Sequence, residues 1–277
     1  MATHRFNKAF DNCDVSATLV TLSDEPLAQS ACPRRLVLLH GAGLAGDLTW
    51  RLVVNYLTEW DEILIPDLPG MGSSAWLNGV NPDFEMYLTA VTEFLARLRW
   101  AEFDLVGYSF GGLLAMHVSE THDVGRLGLI EPAALLATDA ATLLKRAGHY
   151  HNQAGLLMSG QEGAVLEFLD TVSPARDKSG DSLVVRRLSE NLRGLGYGVS
   201  AVAEALARYA EYYASWTASV PGMSLIGGLS PVSMRERHLQ LESESRSWAL
   251  HEVPRADHGV VYARPKQVAA AINAMRS

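Results

Sequence analysis

A succession of short apolar runs, separated by stretches with apolar residues at helical spacing, constrains this chain more than any other feature. "RRLVLLHG" (residues 34–41) reads as a buried strand closed by a glycine turn, and "DEILIPDLPG" (61–70) repeats the form after a helical stretch around "TWRLVVNYLTEW". The helix-like "FEMYLTAVTEFLARL" leads into the strand "FDLVGY", the helix "FGGLLAMHVSE" follows, and "VGRLGLIEPA" (124–133) is the next strand. "GMSLIG" (222–227) and "SWALHEV" (247–253) complete the series, and "RPKQVAAAINAMRS" reads as a closing helix with Pro265 near its first position, where the missing N–H costs nothing. Strands that alternate with crossover helices make a mostly parallel sheet covered on both faces. "VSATLVTLS" (15–23) is expected to add an antiparallel edge strand, the seventh run of a sheet expected to hold eight.

Between Leu135 and Thr217 the texture changes, because helical patterns follow one another with no strand between them. "QEGAVLEFLDTV", "SLVVRRLSENLR" and "SAVAEALARYAEYYASW" each set apolar residues on one face and charges on the other. The expected organisation is therefore an α/β core over residues 1–134 and 218–277, with a helical cap at 135–217. Inserted between two strands, the cap would lie over the crevice at their carboxyl ends, where open α/β sheets bind ligands.

The chain carries a net charge of −8 with its basic residues scattered, so no phosphate-tracking surface and no nucleic-acid partner are expected on charge grounds. The opening "MATHRFNKAFDNCDV" lacks the parts of a secretory signal, and no apolar run approaches membrane-spanning length, so the expectation is a cytoplasmic protein with no membrane partner. Cys13 and Cys32 are too few and too far apart for a redox pair, a disulfide framework or a zinc cluster, and are read as free thiols. Sequence leaves the oligomeric state open.

At "LVGYSFGG" (105–112) a strand turns through Gly107-Tyr108-Ser109-Phe110-Gly111 into a helix of small residues. Glycines two residues either side of a serine suit a corner so sharp that larger side chains collide, with the serine strained and its hydroxyl projecting above the sheet. Such a serine is a candidate nucleophile, and a hydroxyl needs a base to take its proton.

With "LVLLHGAG", "DLPGMGSS", "GYSFGG" and "ADHGVVYARP" standing in order, nearly the whole chain resembles the α/β-hydrolase family, in particular its serine esterase and lipase-like members with a helical cap. The resemblance implies Ser109 as nucleophile, His258 in "RADHGVVYARP" as general base, and the backbone N–H groups of Ala42 and Phe110 as an oxyanion hole. His40 and Gly41 would shape the loop that carries Ala42, and Asp67 would belong to the turn of "DLPGMGSS". Of the other histidines, His117, His122, His238 and His251 fall in or beside elements with no such loop, and His149 and His151, two apart on a helix, do not face one another.

The acid is where the chain departs from the family. Its usual segment resembles G-x-x-D-x-x after the penultimate strand, but here it reads "GGLSPVS" (227–233) with Ser230 in the acid's place. Glu131, closing the strand after the elbow helix, is the preferred replacement, since some members, haloalkane dehalogenases among them, carry their acid there. Glu236 or another downstream carboxylate, or no acid at all, stay as alternatives, whereas Asp257 adjoins His258 and adjacent side chains diverge. A dehalogenase needs a carboxylate at the elbow, so Ser109 points instead to a carboxylic ester hydrolase acting on a small-molecule acyl substrate through an acyl-enzyme, without cofactor or metal. The alternatives are a lyase or carbon–carbon bond hydrolase on the same scaffold, and a binding protein that has lost the acid. Tyr108 beside the serine, with Tyr209, Tyr212, Tyr213 and Trp216 in the cap, suggests an aromatic-lined pocket.

Overall fold

In the computed structural model, which describes residues 1–22 and 33–276, the apolar runs pair into one sheet. Its strands are β1 (Ala2–Ala9), β2 (Cys13–Thr21), β3 (Arg35–Leu39), β4 (Glu62–Pro66), the two-residue β5 (Ala75–Trp76), β6 (Phe103–Tyr108), β7 (Val124–Ile130), β8 (Gly222–Gly227) and β9 (Trp248–Val253). The order is β1-β2-β4-β3-β6-β7-β8-β9, eight strands along one path, with β5 attached to β2 beside it. All pairings from β4 through β9 along that path are parallel, whereas β1 and β2 run antiparallel.

The edge differs from the sequence expectation. β2 is antiparallel, as "VSATLVTLS" suggested, but it is second in the sheet and β1 covers its outer side. β1 escaped notice because it is exposed along most of its length, so "THRFNK" shows no apolar alternation beyond Phe6, whose ring stacks on Phe94. Ser23, Cys32 and Ser277, the last residue of the expected closing helix, lie outside the described residues.

Ten α-helices occur among the described residues: α1 (Gly46–Val54), α2 (Phe84–Ala96), α3 (Phe110–Val118), α4 (Ala140–Met158), α5 (Ala164–Val172), α6 (Asp181–Ser189), α7 (Leu192–Ser215), α8 (Val232–Glu244), α9 (Val260–Ala263) and α10 (Pro265–Ala274). Successive strand residues point to opposite faces, and in β3 Val37 and Leu39 join a core with α2 and α3 while Leu36 and Leu38 join one with α1 and α10. A sheet buried on both faces needs apolar residues at every position, which is why its strands read as continuous runs. Local chemistry sets the helix ends: the Asp83 carboxylate accepts the Met86 N–H at 2.8 Å to start α2, and Pro265 opens α10.

Between β7 and β8 lie α4 to α7 and one short 3-10 turn, with no strand. The pattern "SLVVRRLSENLR" is broken where Asn191 accepts the N–H of Gly194 at 3.0 Å, ending one helix and starting α7. No helix among the described residues is long and apolar enough to cross a membrane. Cys13 is buried and forms no disulfide among them, and burial raises its thiol to about 11.

His238 of α8 is buried with Nδ1 2.8 Å from the Ser224 Oγ, which also accepts the Trp248 indole N–H at 2.9 Å. Burial, reinforced by the adjacent Arg237, pushes its pKa down to about 3. An unfolded chain protonates this histidine near its ordinary pKa of about 6.5 while the fold excludes the proton until about 3. The fold is therefore unpenalised above about pH 6.5 and loses up to ~1.4 kcal/mol per pH unit across that window as pH falls. Urea unfolding at pH 7, 5 and 4 is expected to show this slope, and His238→Gln to flatten it.

Candidate active site

The elbow between β6 and α3 is built from backbone collisions that only glycine avoids. A Cβ on Gly107 would stand 2.2 Å from the Gly111 carbonyl oxygen, and one on Gly111 would stand 2.5 Å from the carbonyl oxygens of Leu39 and His40. Ser109 between them is held at φ 55°, ψ −117°, a conformation that costs of order 1–3 kcal/mol. The surrounding chain fixes it: the Ser109 N–H donates to Ile130 O at 3.0 Å, and the Ser109 carbonyl accepts the N–H groups of Gly112 and Ala133.

His258 reaches the corner from the loop between β9 and α9, with Nε2 3.0 Å from the Ser109 Oγ and Nδ1 3.3 Å from Glu131 Oε2. With Nδ1–H donating to the carboxylate, Nε2 keeps a lone pair toward the hydroxyl, which is the tautomer a proton acceptor needs. Tyr108 lies under this ring: its hydroxyl donates to the His258 carbonyl at 2.9 Å and the ring centroids are 5.3 Å apart.

Glu131 follows directly on β7 in a left-handed conformation, φ 46°, and is 1% exposed. Its Oε1 accepts the Gly227 N–H and the Ser230 hydroxyl, both at 2.6 Å, leaving Oε2 for the histidine. Ser230, which stands in the place of the family's usual acid, thus donates to the carboxylate of Glu131. Glu236 is exposed on α8, and Asp257 turns away, its Oδ1 accepting the Gly259 N–H at 3.2 Å. Replacing Ser230 with alanine removes one donor from Oε1. The expected result is a kcat about tenfold lower at little changed KM, because the carboxylate that orients the imidazole is held less firmly.

The N–H groups of Ala42 and Phe110 donate to no acceptor among the described residues, and both residues border the same cavity as Ser109 and His258. Phe110 is the first residue of α3, so its N–H belongs to the helix's positive end. The Ala42 loop is anchored by His40, whose Nδ1–H donates to Gly41 O at 2.7 Å while Nε2 accepts the Leu68 N–H at 2.8 Å. Burial lowers the His40 pKa, so the ring stays neutral as these two bonds require. Asp67 serves the turn: it accepts the N–H groups of Gly46 and Ser73 and pairs with Arg5 at 2.6 Å.

The cavity above Ser109 has a volume of about 50 Å³ and opens to solvent on one side. None of the five aromatic residues expected to line it does so. Tyr213 is fully buried with its hydroxyl 2.8 Å from His117 Nε2, Trp216 packs edge-on against Trp248, and Tyr108 buttresses the imidazole from below. Tyr209 and Tyr212 also close around His117 rather than the cavity. The wall comes instead from Arg146 and Tyr150 of α4, Phe168 and Val172 of α5, and Val199 and Val202 of α7. The only sequence signal was spacing, since residues 146 and 150 share one face of a helix. Among the described residues, no group of three or more His, Cys, Asp or Glu side chains is placed to hold a metal ion.

A family model described as the alpha/beta hydrolase family matches residues 36–271. The chain is 25% identical to a 3-hydroxybutyrate-oligomer hydrolase of Cupriavidus necator, over 95% of this chain and 95% of that protein. It is 32% identical to a 2-hydroxy-6-oxo-2,4-heptadienoate hydrolase of Pseudomonas putida over 34% of this chain, and that match spans only 36% of the relative's length. Among solved structures, Cfl2 from Burkholderia cenocepacia superposes with a TM-score of 0.73 at 20% identity, covering 98% of this chain and 95% of that one.

Proposed function

The chain belongs to the alpha/beta hydrolase family, and within it we propose a serine hydrolase of small or medium acyl compounds, most simply carboxylic esters. The observation that carries this reading is the unbroken line of contacts from the Ser109 Oγ through His258 to Glu131, 3.0 and 3.3 Å long, beside two unused backbone N–H groups. Ser109 attacks the carbonyl carbon as its proton passes to His258 Nε2, and Ala42 and Phe110 donate to the oxygen that becomes negative. Collapse breaks the bond to the leaving alkoxide, which takes the proton from Nε2, and leaves an acyl-serine. Water then adds to the acyl carbon with His258 again accepting a proton, and the acid departs as the serine is restored. Each oxyanion donor contributes about 3 kcal/mol in such sites, because it is aimed before the charge forms. The left-handed turn at Glu131 and the Ser230 hydroxyl support Glu131 as the acid that stabilises the imidazolium.

Residues 1–134 and 218–277 act in this reading as the core, and 135–217 as a cap whose helices narrow the cavity and exclude water. The small cavity favours short acyl groups. A second reading follows from the Pseudomonas putida relative: on the same scaffold, the serine and histidine would handle a proton during carbon–carbon bond cleavage. The deciding experiment is p-nitrophenyl acetate and butyrate turnover with fluorophosphonate labelling. Steady turnover and a label on Ser109 are expected. A labelled serine without ester turnover favours the carbon–carbon reading, whereas no label and no turnover, with ligand binding indifferent to Ser109→Ala, leaves a binding protein.

A further inference from the structure

Arg146 is the part of the cavity wall that ester hydrolysis leaves without a role. It stands on α4 one turn before Tyr150, and both side chains border the cavity that holds Ser109 and His258. The arginine is part-buried, yet it has no ion pair and no hydrogen bond among the described residues. Arg35 and Arg176, part-buried as well, are each paired: Arg35 with Glu62 at 2.9 Å, and Arg176 with Asp181 at 2.8 Å and Asp170 at 2.9 Å. The guanidinium of Arg146, still reached by solvent, keeps its N–H donors for an acceptor that the described residues do not supply. The residue borders the cavity that also holds Ser109, so such an acceptor has room there.

The charges around that cavity favour an anion at this end. Arg146 is the one residue of the wall with a permanent positive charge, since lysine is absent from it and His258 is the only histidine. Glu131, the wall's one carboxylate, already has its donors in Gly227, Ser230 and His258, so it does not compensate the arginine. Tyr150 connects the two ends: burial raises its phenol while Arg146 pulls it down and Glu131 pushes it up, so both charges reach the same hydroxyl. The guanidinium offers five N–H donors in a planar fork that matches a carboxylate with two parallel bonds. The remaining wall, Phe168, Val172, Val199 and Val202, suits a short methylene chain between the carboxylate and the reacting carbonyl.

We infer that the pocket selects acyl compounds bearing a second, anionic group, as in half-esters of short dicarboxylic acids, with that carboxylate received by Arg146 beside the Tyr150 hydroxyl and the ester carbonyl at Ser109. The carbonyl end rests on the serine-hydrolase reading, whereas the anion site does not.

Two measurements separate the claims. In the first, kcat/KM is compared for the p-nitrophenyl half-ester of glutaric acid and for p-nitrophenyl 5-methylhexanoate, which has the same shape without the charge. The charged ester should be favoured at least tenfold, Arg146→Gln should reduce that ratio tenfold or more, and Arg146→Lys should keep part of it. A ratio below one, or a ratio that Arg146→Gln leaves alone, overturns the inference. In the second, glutarate is titrated calorimetrically into Ser109→Ala, where no chemistry is needed. Measurable binding that weakens at least tenfold when Arg146→Gln is added supports the anion site even if neither ester is hydrolysed, and failure of glutarate to bind overturns it. Circular dichroism checks that the variants fold, and the Lys variant provides the comparison if Gln does not.

Discussion

Ser109→Ala is expected to lower kcat on p-nitrophenyl butyrate by about 10⁶-fold, to the rate that binding and the oxyanion donors sustain alone. The size follows from what the residue does: without the hydroxyl there is no acyl-enzyme, and the imidazole at Nε2 has no proton to take. The substitution should leave the fold nearly unaffected. The positive φ at residue 109 strains alanine about as much as serine, and the backbone bonds from Ile130, Gly112 and Ala133 that hold the corner do not involve the side chain. An unchanged thermal midpoint beside the lost rate is the outcome to look for. Loss of both together would place the defect in folding.

Glu131→Gln carries the second large effect, a fall in kcat of about 10⁴-fold at little changed KM. The amide is nearly isosteric, so the Gly227 and Ser230 donors can still be met, but it cannot stabilise the imidazolium and can donate to Nδ1, turning the ring to the wrong tautomer. Near-normal activity would remove Glu131 from the mechanism. The Ser230 contact adds a sharper test. Ser230 occupies the place where the family's acid commonly stands, and its hydroxyl lies 2.6 Å from the Glu131 carboxylate. Adding Ser230→Asp to Glu131→Gln should therefore restore part of the rate, at least tenfold over Glu131→Gln alone. In the wild-type background Ser230→Asp should instead be harmful, since two carboxylates would crowd one buried site.

The candidate triad is easier to read from the sequence than the pocket around it, and the reason is physical. Gly107 and Gly111 are dictated by backbone atoms a few residues away or one strand over, so the corner leaves its signature in five consecutive residues. Glu131 directly follows β7 and His258 lies in the loop after β9, and the two meet because the sheet sets β6, β7, β8 and β9 side by side. Pocket walls have no such local rule. Tyr213 and Trp216 are aromatic and lie in the helical segment, but the way α7 packs turns them to the core, while Arg146 and Tyr150 reach the cavity through the placement of α4. β1 was hidden for the opposite reason, since an exposed edge strand has no need of apolar residues. Ser230 was visible as a departure from the family pattern, but its contact with Glu131 depends on the fold of the loop after β8.

The most direct test is the mass of the protein caught during turnover. Acid quenching within milliseconds of mixing with p-nitrophenyl butyrate, followed by peptide mass spectrometry, should show one butyryl group on the peptide containing Ser109 and none in Ser109→Ala. Turnover with no acyl adduct, or with the adduct on another side chain, would contradict a mechanism in which His258 prepares Ser109 to attack.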